Sequence, residues 1–547
     1  MRVVVTQIAG LFWNSYLSYK TQTKLDVYAT CNFMVIRMQA AERHLRPPTP
    51  ILRAVVSCVF RLVRTVATAV PQETPAKMSP HESNHALYQA AISRLNSLQT
   101  NTQTLEKLRE KRHLFQESNV PECVEIMRKC GIEPEDINGL NVIHVSGTKG
   151  KGSTCAFVES MLRSLGYKTG FYSSPHLVHA RERIRINGKP ISERAFAENL
   201  FSVYDRIVKA VQESDHLSMP AYFKFLTILA FDVFVREKVD VAIIEVGIGG
   251  QYDCTNVIEK PIVTAITTLD YDHTSLLGNS LKEIAWHKAG IFKYAAPAIV
   301  SDIAPVSYEV MRARAKERQV STLAISPPLS SYDIAQDLHA GIAGHGWNGW
   351  EQETFSRKND GVSGKPFSVP KVLLQAIESC HWPGRSQVVH SNIGNFYLDG
   401  AHTPKSIEMC AARFAGAVPE KKADCKRVLL FHCTADRKPE TLLPYLKPLH
   451  FDYALFCPTV VSRTQDGKSD MTNFNQNVEQ ACKRSIEASE TWTTIDSNTE
   501  CHTFPCIQSS IRWLEQQHQP GQLDVLVTGS LHLVGGVLSL VDPESAV

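Results

Sequence analysis

The stretch HVSGTKGKGSTCAF, residues 144–157, places three glycines and two lysines between Gly147 and Gly152. A glycine-rich turn between a buried strand and a helix leaves backbone N–H groups at the helix N-terminus, where donors and dipole favour an anion. A lysine in such a turn adds a full charge that can follow a terminal phosphate. The run LNVIHVSG before the turn reads as a buried strand. STCAFVESMLRSLG after it reads as a helix, with Phe157, Met161 and Leu165 on one stripe and Gly166 at its end. Gly147, Thr148, Lys149, Gly150, Lys151, Gly152, Ser153 and Thr154 are therefore expected to bind nucleotide phosphates, with Lys151 as the phosphate lysine. The run departs from the strict GxxxxGKS/T pattern, because Gly152 follows Lys151 and the hydroxyls come at Ser153 and Thr154.

A bound triphosphate brings Mg2+, which takes hard oxygen ligands. Strand ends offer Ser173 or Ser174 in FYSSPH, Glu245 in AIIEVGIGG and His273 in LDYDHTSLLG. Each alone reads as a polar strand end, and a lone histidine is more often structural than a ligand. Each following its own strand, they form a set.

The elements that must position these groups alternate along the chain. SNHALYQAAISRLNSLQT, 83–100, has helical spacing, and LNVIHVSG, KTGFYSSP, VDVAIIEVG and PIVTAITTLD read as strands with helical stretches between several of them. That alternation predicts an α/β fold with a mostly parallel sheet covered on both faces, its ligands at the carboxyl ends of the strands. Residues 327–381, rich in Gly, Ser, Asn and Asp, break the rhythm, which places a domain boundary near 370–382. A second α/β pattern follows, with NFYLDGAH, RVLLFHC, FDYALFCP and LDVLVTGS as strands and PKSIEMCAARFAGAV and SSIRWLEQQ as helices. Residues 462–503 are polar and are expected to form an irregular insertion.

The chain has 547 residues, 43% hydrophobic and 21% charged, with a net charge of +3 and 14 cysteines outside any CxxC spacing. This balance excludes a global pull on nucleic acid and a disulfide scaffold, and no apolar run is long enough to span a bilayer. Residues 1–70 carry nine Lys or Arg against Asp26 and Glu42. ILRAVVSCVFRLVRTVATAV within them has the make-up of a mitochondrial presequence. The leader is placed at 1–78, and a start at Met78 would delete it up to residue 77 and leave a cytoplasmic form.

Taken together, GTKGKGST, SSPHLVHARERIRINGKPIS, MPAYFKFLT, IIEVGIGGQYDCTN, DHTSLLG, IAWHKAGIFK, WPGRSQ, YLDGAHT and VLVTGSLHLVGGVL resemble the folylpolyglutamate synthases of the Mur-ligase superfamily, over 83–325 and 381–547. The resemblance implies a P-loop NTPase-like domain over 79–375 that binds ATP and folate, with 327–375 atypical, and a smaller Rossmann-like domain over 381–547 on the glutamate side. It implies an ATP-dependent amide ligase, acting as a monomer on a reduced folate, L-glutamate and ATP with Mg2+, and K+ as a further cation. Arg385 and Asp399 would reach the nucleotide, and His402 would stand near the incoming glutamate. Ser174, Glu245 and His273 would hold Mg2+, with Ser173 as the near alternative to Ser174. Lys288 would join them as a carbamate, and a surface helix lysine is the bland alternative. Lys151, His402 and Lys288 are thus the expected catalytic groups. Dihydrofolate synthase and a non-catalytic nucleotide- or folate-binding protein are the competing readings.

One element departs from the family pattern. Where relatives carry G-x-H-Q-x-x-N-A opening a helix of the adenine pocket, this chain reads GIAGHGWNGWEQETFSRKND, with His345 and Asn348 as remnants. Either the element is remodelled, weakening ATP binding, or the coding sequence across it is misread. The complete motifs on both sides favour the second.

Overall fold

The structure is a computed structural model that describes residues 84–99, 112–301, 304–325, 362–363, 371–418, 425–434, 437–462, 470–471, 478–519 and 521–544. The basic leader and the His345 and Asn348 remnants lie outside the described residues.

A nine-stranded sheet carries the first half, in the order β4-β3-β2-β5-β1-β6-β7-β8-β9. β1 (Ile143–Ser146) lies between β5 (Val241–Glu245) and β6 (Val263–Ile266), parallel to both, with Ile143 opposite Ile243 and Val263. β2 (Thr169–Tyr172) runs parallel to β5, whereas β3 (Ile184–Ile186) and β4 (Lys189–Pro190) add antiparallel turns at that edge. Beyond β6 come β7 (Pro297–Val300), β8 (Thr322–Ile325) and β9 (Val362–Ser363), all parallel. All five residues of β5, VAIIE, are buried, as a strand covered on both faces requires.

Alternate side chains enter different cores. Ile143, Val145, Phe171 and Ile243 pack with Val158, Met161 and Leu162 of helix α3 (Lys151–Ser164). Tyr172, Ala242 and Ile244 pack on the other face against α5 (Tyr222–Glu237), backed by α1 (Asn84–Asn96), α2 (Arg112–Lys129) and α4 (Glu193–Gln212). The buried stripe of α3 thus runs through Val158, Met161 and Leu162, while Leu165 is 39% exposed. The expected stripe through Leu165 is corrected: the helix begins at Lys151, and Leu165 is its C-cap. Helices α6 (Leu281–Lys288) and α7 (Pro305–Glu317) follow on the β6–β7 side.

The second sheet has six strands in the order β10-β11-β15-β12-β13-β14. β11 (Asn395–Leu398), β15 (Leu523–Thr528), β12 (Lys426–Phe431), β13 (Tyr453–Phe456) and β14 (Glu500–Thr503) are parallel, and β10 (Gln387–His390) is antiparallel at the edge. Helices cover both faces. α9 (Pro404–Ala417) and α10 (Val478–Ile495) pack on Leu429, Phe431 and Phe456, and α11 (Ile507–Gln517) and α12 (Leu531–Val541) on Leu430, Val525 and Val527.

Two expectations of irregular chain are corrected. The 462–503 stretch contains α10 and β14, because α10 buries a face of Ala481, Ser485, Ala488 and Trp492 that small residues make faint in sequence. Within 327–381, α8 (Lys371–Glu378) lays Leu373, Ala376 and Ile377 on the core beneath α3. No helix among the described residues is long and apolar enough to cross a membrane, and the described cysteines are free thiols, most of them buried.

Candidate active site between the two sheets

Between β1 and α3 the chain turns sharply. Gly150 caps the helix in the left-handed region at φ +82°, and Gly147 has φ +148°. A Cβ on Gly147 would run into the side chain of Thr267. Thr267 cannot yield easily, since its hydroxyl donates to the Lys149 carbonyl at 2.7 Å. The Thr148 and Lys149 amides donate to the Thr268 carbonyl and hydroxyl, so the loop is stitched to the end of β6. Thr154 bonds back to the Gly150 carbonyl at 2.6 Å and closes the turn from within, whereas Ser153 lines the cleft. Gly147→Ala is expected to lower stability by about 1–3 kcal/mol, from strain at that φ plus the collision. Denaturant unfolding of the purified variant checks this, and an unchanged midpoint contradicts it.

The loop faces a cavity of 540 Å³ between the two halves. Lys149, Lys151, Arg183, Arg385 and Arg437 line it against the carboxylates of Glu245, Asp253 and Asp272. This cationic excess, at the carboxyl ends of β1, β5 and β6, suits a polyanion.

Two buried groups beneath the loop are electrostatically unusual. Lys151 Nζ and Lys288 Nζ both donate to the Gly147 carbonyl, at 3.1 and 2.8 Å. Lys288 is 3% exposed, at the last turn of α6, so it is no surface helix lysine. Burial, reinforced by the Lys151 charge, holds its ammonium well below its ordinary value. Glu245, at the end of β5, accepts the Ser174 N–H at 3.1 Å. Burial pushes its carboxyl up, against the pull of Lys151.

Ser174 lines the cleft, and Ser173 lines a smaller adjoining pocket instead, its N–H bound to the Arg183 carbonyl. His273 also lines the cleft, at φ +51°, its ring lowered to about 4 by burial. Among the described residues no three His, Cys, Asp or Glu side chains form a closed metal cage. A hydroxyl, an imidazole and a buried carboxyl raised by desolvation nonetheless fit a Mg2+ that shares its remaining positions with phosphate oxygens and water. The residues present therefore fit the ion.

Across the cleft the second sheet supplies His402, Arg437 and Arg385. Lys149 Nζ donates to Asp272 Oδ2 at 2.7 Å and to His402 Nε2. His402 Nδ1 donates to the Gly400 carbonyl at 2.6 Å, which leaves Nε2 as the acceptor. Burial and the Lys149 charge lower the His402 ring to about 3. Lys149 is lowered to about 8 by burial, with Asp272 opposing. Burial would raise the Asp272 carboxyl, but the Lys149 ammonium at 2.7 Å and the neighbouring cations outweigh it and hold it well below the usual carboxylate range. Arg437 adds a contact to Asp272 Oδ1 at 3.3 Å.

Asp399 stands behind this face rather than in it. Its carboxylate receives the Ser386 hydroxyl at 2.9 Å and the Ala401 N–H at 3.0 Å, and it is absent from the cleft lining. Sequence reasoning missed Asp272, Arg437 and Arg183 as cleft residues. Asp272 precedes His273 inside a quoted motif, and an acid beside a strand-end histidine was the available signal. Nothing local marked Arg183 among its neighbouring arginines.

Residues 145–339 match the Mur ligase middle domain family. A Caenorhabditis elegans protein provisionally named folylpolyglutamate synthase is 48% identical over 480 residues, covering 83% of this chain and 92% of its own. The human mitochondrial folylpolyglutamate synthase is 36% identical over 590 residues, covering 90% of this chain and 98% of its own. In shape, the chain resembles the Mycobacterium tuberculosis folylpolyglutamate synthase complexed with ADP, with a TM-score of 0.61 at 20% identity over 84% of this chain and 99% of that one.

Proposed function

Because this chain belongs to the folylpolyglutamate synthase family, we propose that it is an ATP-dependent ligase joining L-glutamate to the γ-carboxyl of a reduced folate's glutamate tail. The observation that carries this reading is the cationic cleft, with its glycine–lysine loop on one wall and His402 and two arginines on the other.

A carboxylate is a poor electrophile, and glutamate's ammonium must lose a proton before it attacks. Transfer of the terminal phosphoryl group of ATP to the folate carboxylate makes an acyl phosphate, and such transfer demands alignment and charge neutralisation above all. Lys151 and the exposed amides at the start of α3 hold the phosphates, and Arg385 neutralises charge from the opposite wall. Ser174, Glu245 and His273 would hold Mg2+, with Lys288 as a further ligand when carbamylated. When bound, the ion supplies positive charge to phosphate and carboxylate oxygens. Once the incoming amine takes the place of Lys149 on it, the neutral Nε2 of His402 accepts a hydrogen from the glutamate amine and orients it toward the acyl carbon. Water must be kept from the acyl phosphate, which calls for closure of the two halves over the cleft during turnover.

The test is ADP release that depends on both tetrahydrofolate and glutamate. Product from dihydropteroate alone would overturn the choice of acceptor. Chelation by EDTA is expected to cut turnover by about 100-fold or more, with recovery on added Mg2+; full activity in EDTA contradicts the metal assignment.

The basic leader and the mitochondrial human relative support a mitochondrial protein. Initiation at Met78 gives a cytoplasmic form. Fractionation of cells expressing chains that start at Met1 or at Met78 tests both, and sedimentation tests the monomer.

A further inference from the structure

The second half also grips the first at a point away from the phosphate loop. Asp470 lies in the stretch linking β13 to α10, with its side chain 13% exposed. Its Oδ1 accepts the Tyr88 hydroxyl at 2.5 Å and the Ala180 N–H at 2.7 Å. Its backbone carbonyl accepts from His176 Nε2 at 3.1 Å. That bond places the ring proton on Nε2, so Nδ1 is free to accept from Arg183 Nε at 2.9 Å. Arg183 lines the cleft and lies over the Tyr222 ring at 5.4 Å. A chain of contacts thus runs from the second half, through His176, to a cation on the wall of the reaction cavity.

The loop carrying these groups is braced twice more. Glu182 gathers the Leu177, Val178 and His179 amides at 3.0, 2.9 and 2.6 Å. Leu177 and Val178 are buried in the core of the second sheet. Gly535 of α12 admits this contact, since a Cβ there would strike the Leu177 carbonyl.

We propose that Asp470 is a positioning residue: by anchoring Ala180 and His176 it presets Arg183 at the cleft, where a carboxylate-bearing acceptor docks. The inference rests on the reading of the cleft as the folate site. A loop held before binding spares the acceptor the cost of ordering it. The bland alternative is that Asp470 merely clamps the two halves together, which would affect every substrate alike.

Asp470→Ala keeps the backbone carbonyl that meets His176 but loses the carboxylate that pins Ala180 and Tyr88 and so fixes that carbonyl in place. In the full chain the KM for tetrahydrofolate is expected to rise about tenfold, the scale of a lost hydrogen bond to a charged group. The KM for ATP should stay within about twofold, because the phosphate loop is held by other contacts. In an Arg183→Gln background the Asp470→Ala effect should largely vanish, since coupled residues are non-additive. Equal rises in both KM values, additive effects, or an unchanged folate KM would each overturn the proposal. Hydrogen exchange of the 176–183 amides in the substrate-free protein gives a second measurement, expected to be about tenfold faster in the variant; unchanged exchange overturns the proposal. If Asp470→Ala does not fold, Asp470→Asn, which keeps an acceptor oxygen, should show smaller shifts of the same sign, and no shift overturns it too. Absence of folate-dependent ADP release by the unsubstituted chain counts against the functional reading instead, and the exchange measurement still decides the role of Asp470.

Discussion

Replacing Lys151 with alanine is expected to lower folate- and glutamate-dependent ADP release by about 100- to 1,000-fold, the cost of removing one preorganised charge aimed at developing negative charge. Lys151 follows the left-handed Gly150 at the first position of α3 and lines the cleft, so its ammonium joins the amides of the helix start. Among the described residues its ammonium donates to the Gly147 carbonyl, which also receives Lys288. Stability should therefore change little, which separates a chemical loss from an unfolded protein. Lys151→Arg should not restore full rate, because a broad planar fork does not replace a compact ammonium in a tight turn. Turnover above about a tenth of normal in the alanine variant would remove the phosphate lysine from the mechanism.

Lys288→Met should cut turnover by about 100-fold, the upper range for losing a group that supports a metal centre, yet leave the protein more stable. The physical reason is burial without a carboxylate in direct contact among the described residues: the Lys288 ammonium donates to a carbonyl, and burial lowers its proton affinity in the fold despite the more distant Asp272 and Asp253. The unfolded chain holds this proton up to the ordinary value of 10.5, and the folded chain releases it earlier. Between those two points the unfolded state binds more protons, so stability rises with pH and the cost is full below the window. In CO2-depleted buffer near pH 7 the Met variant should melt higher by about 2–4 °C and lack that rise. A carbamate carbon signal from labelled bicarbonate should appear in the unsubstituted protein and be missing in the variant. Normal turnover by the variant would show that Lys288 is a structural lysine alone.

The glycine–lysine loop was legible because its meaning is local. Glycines at Gly147 and Gly150 permit backbone angles that side chains resist, and a strand before and a helix after define what such a turn can bind. The strand runs around β1, β5 and β6 were equally plain, since strands covered on both faces are continuously apolar. The helix α10 and the edge strand β14 were not, because a face of alanine and serine and a four-residue ECHT strand carry almost no hydrophobic signal.

Order along the chain and the types of the phosphate-facing residues thus determined the fold class, the loop and the family. Which distant residues meet was decided only by packing. His402 lies 253 positions from Lys149, Lys288 lies 141 from Gly147, and Asp470 lies 290 from Ala180. The first and third meetings depend on how two separately built sheets press together, and the second on how α6 packs beneath the turn after β1. Pattern in a single chain records the periodicity of each element but not the facing of one against another. Charge state followed the same rule: Lys288 and Glu245 are ordinary residues in sequence, and only the water excluded around them changes what they can do.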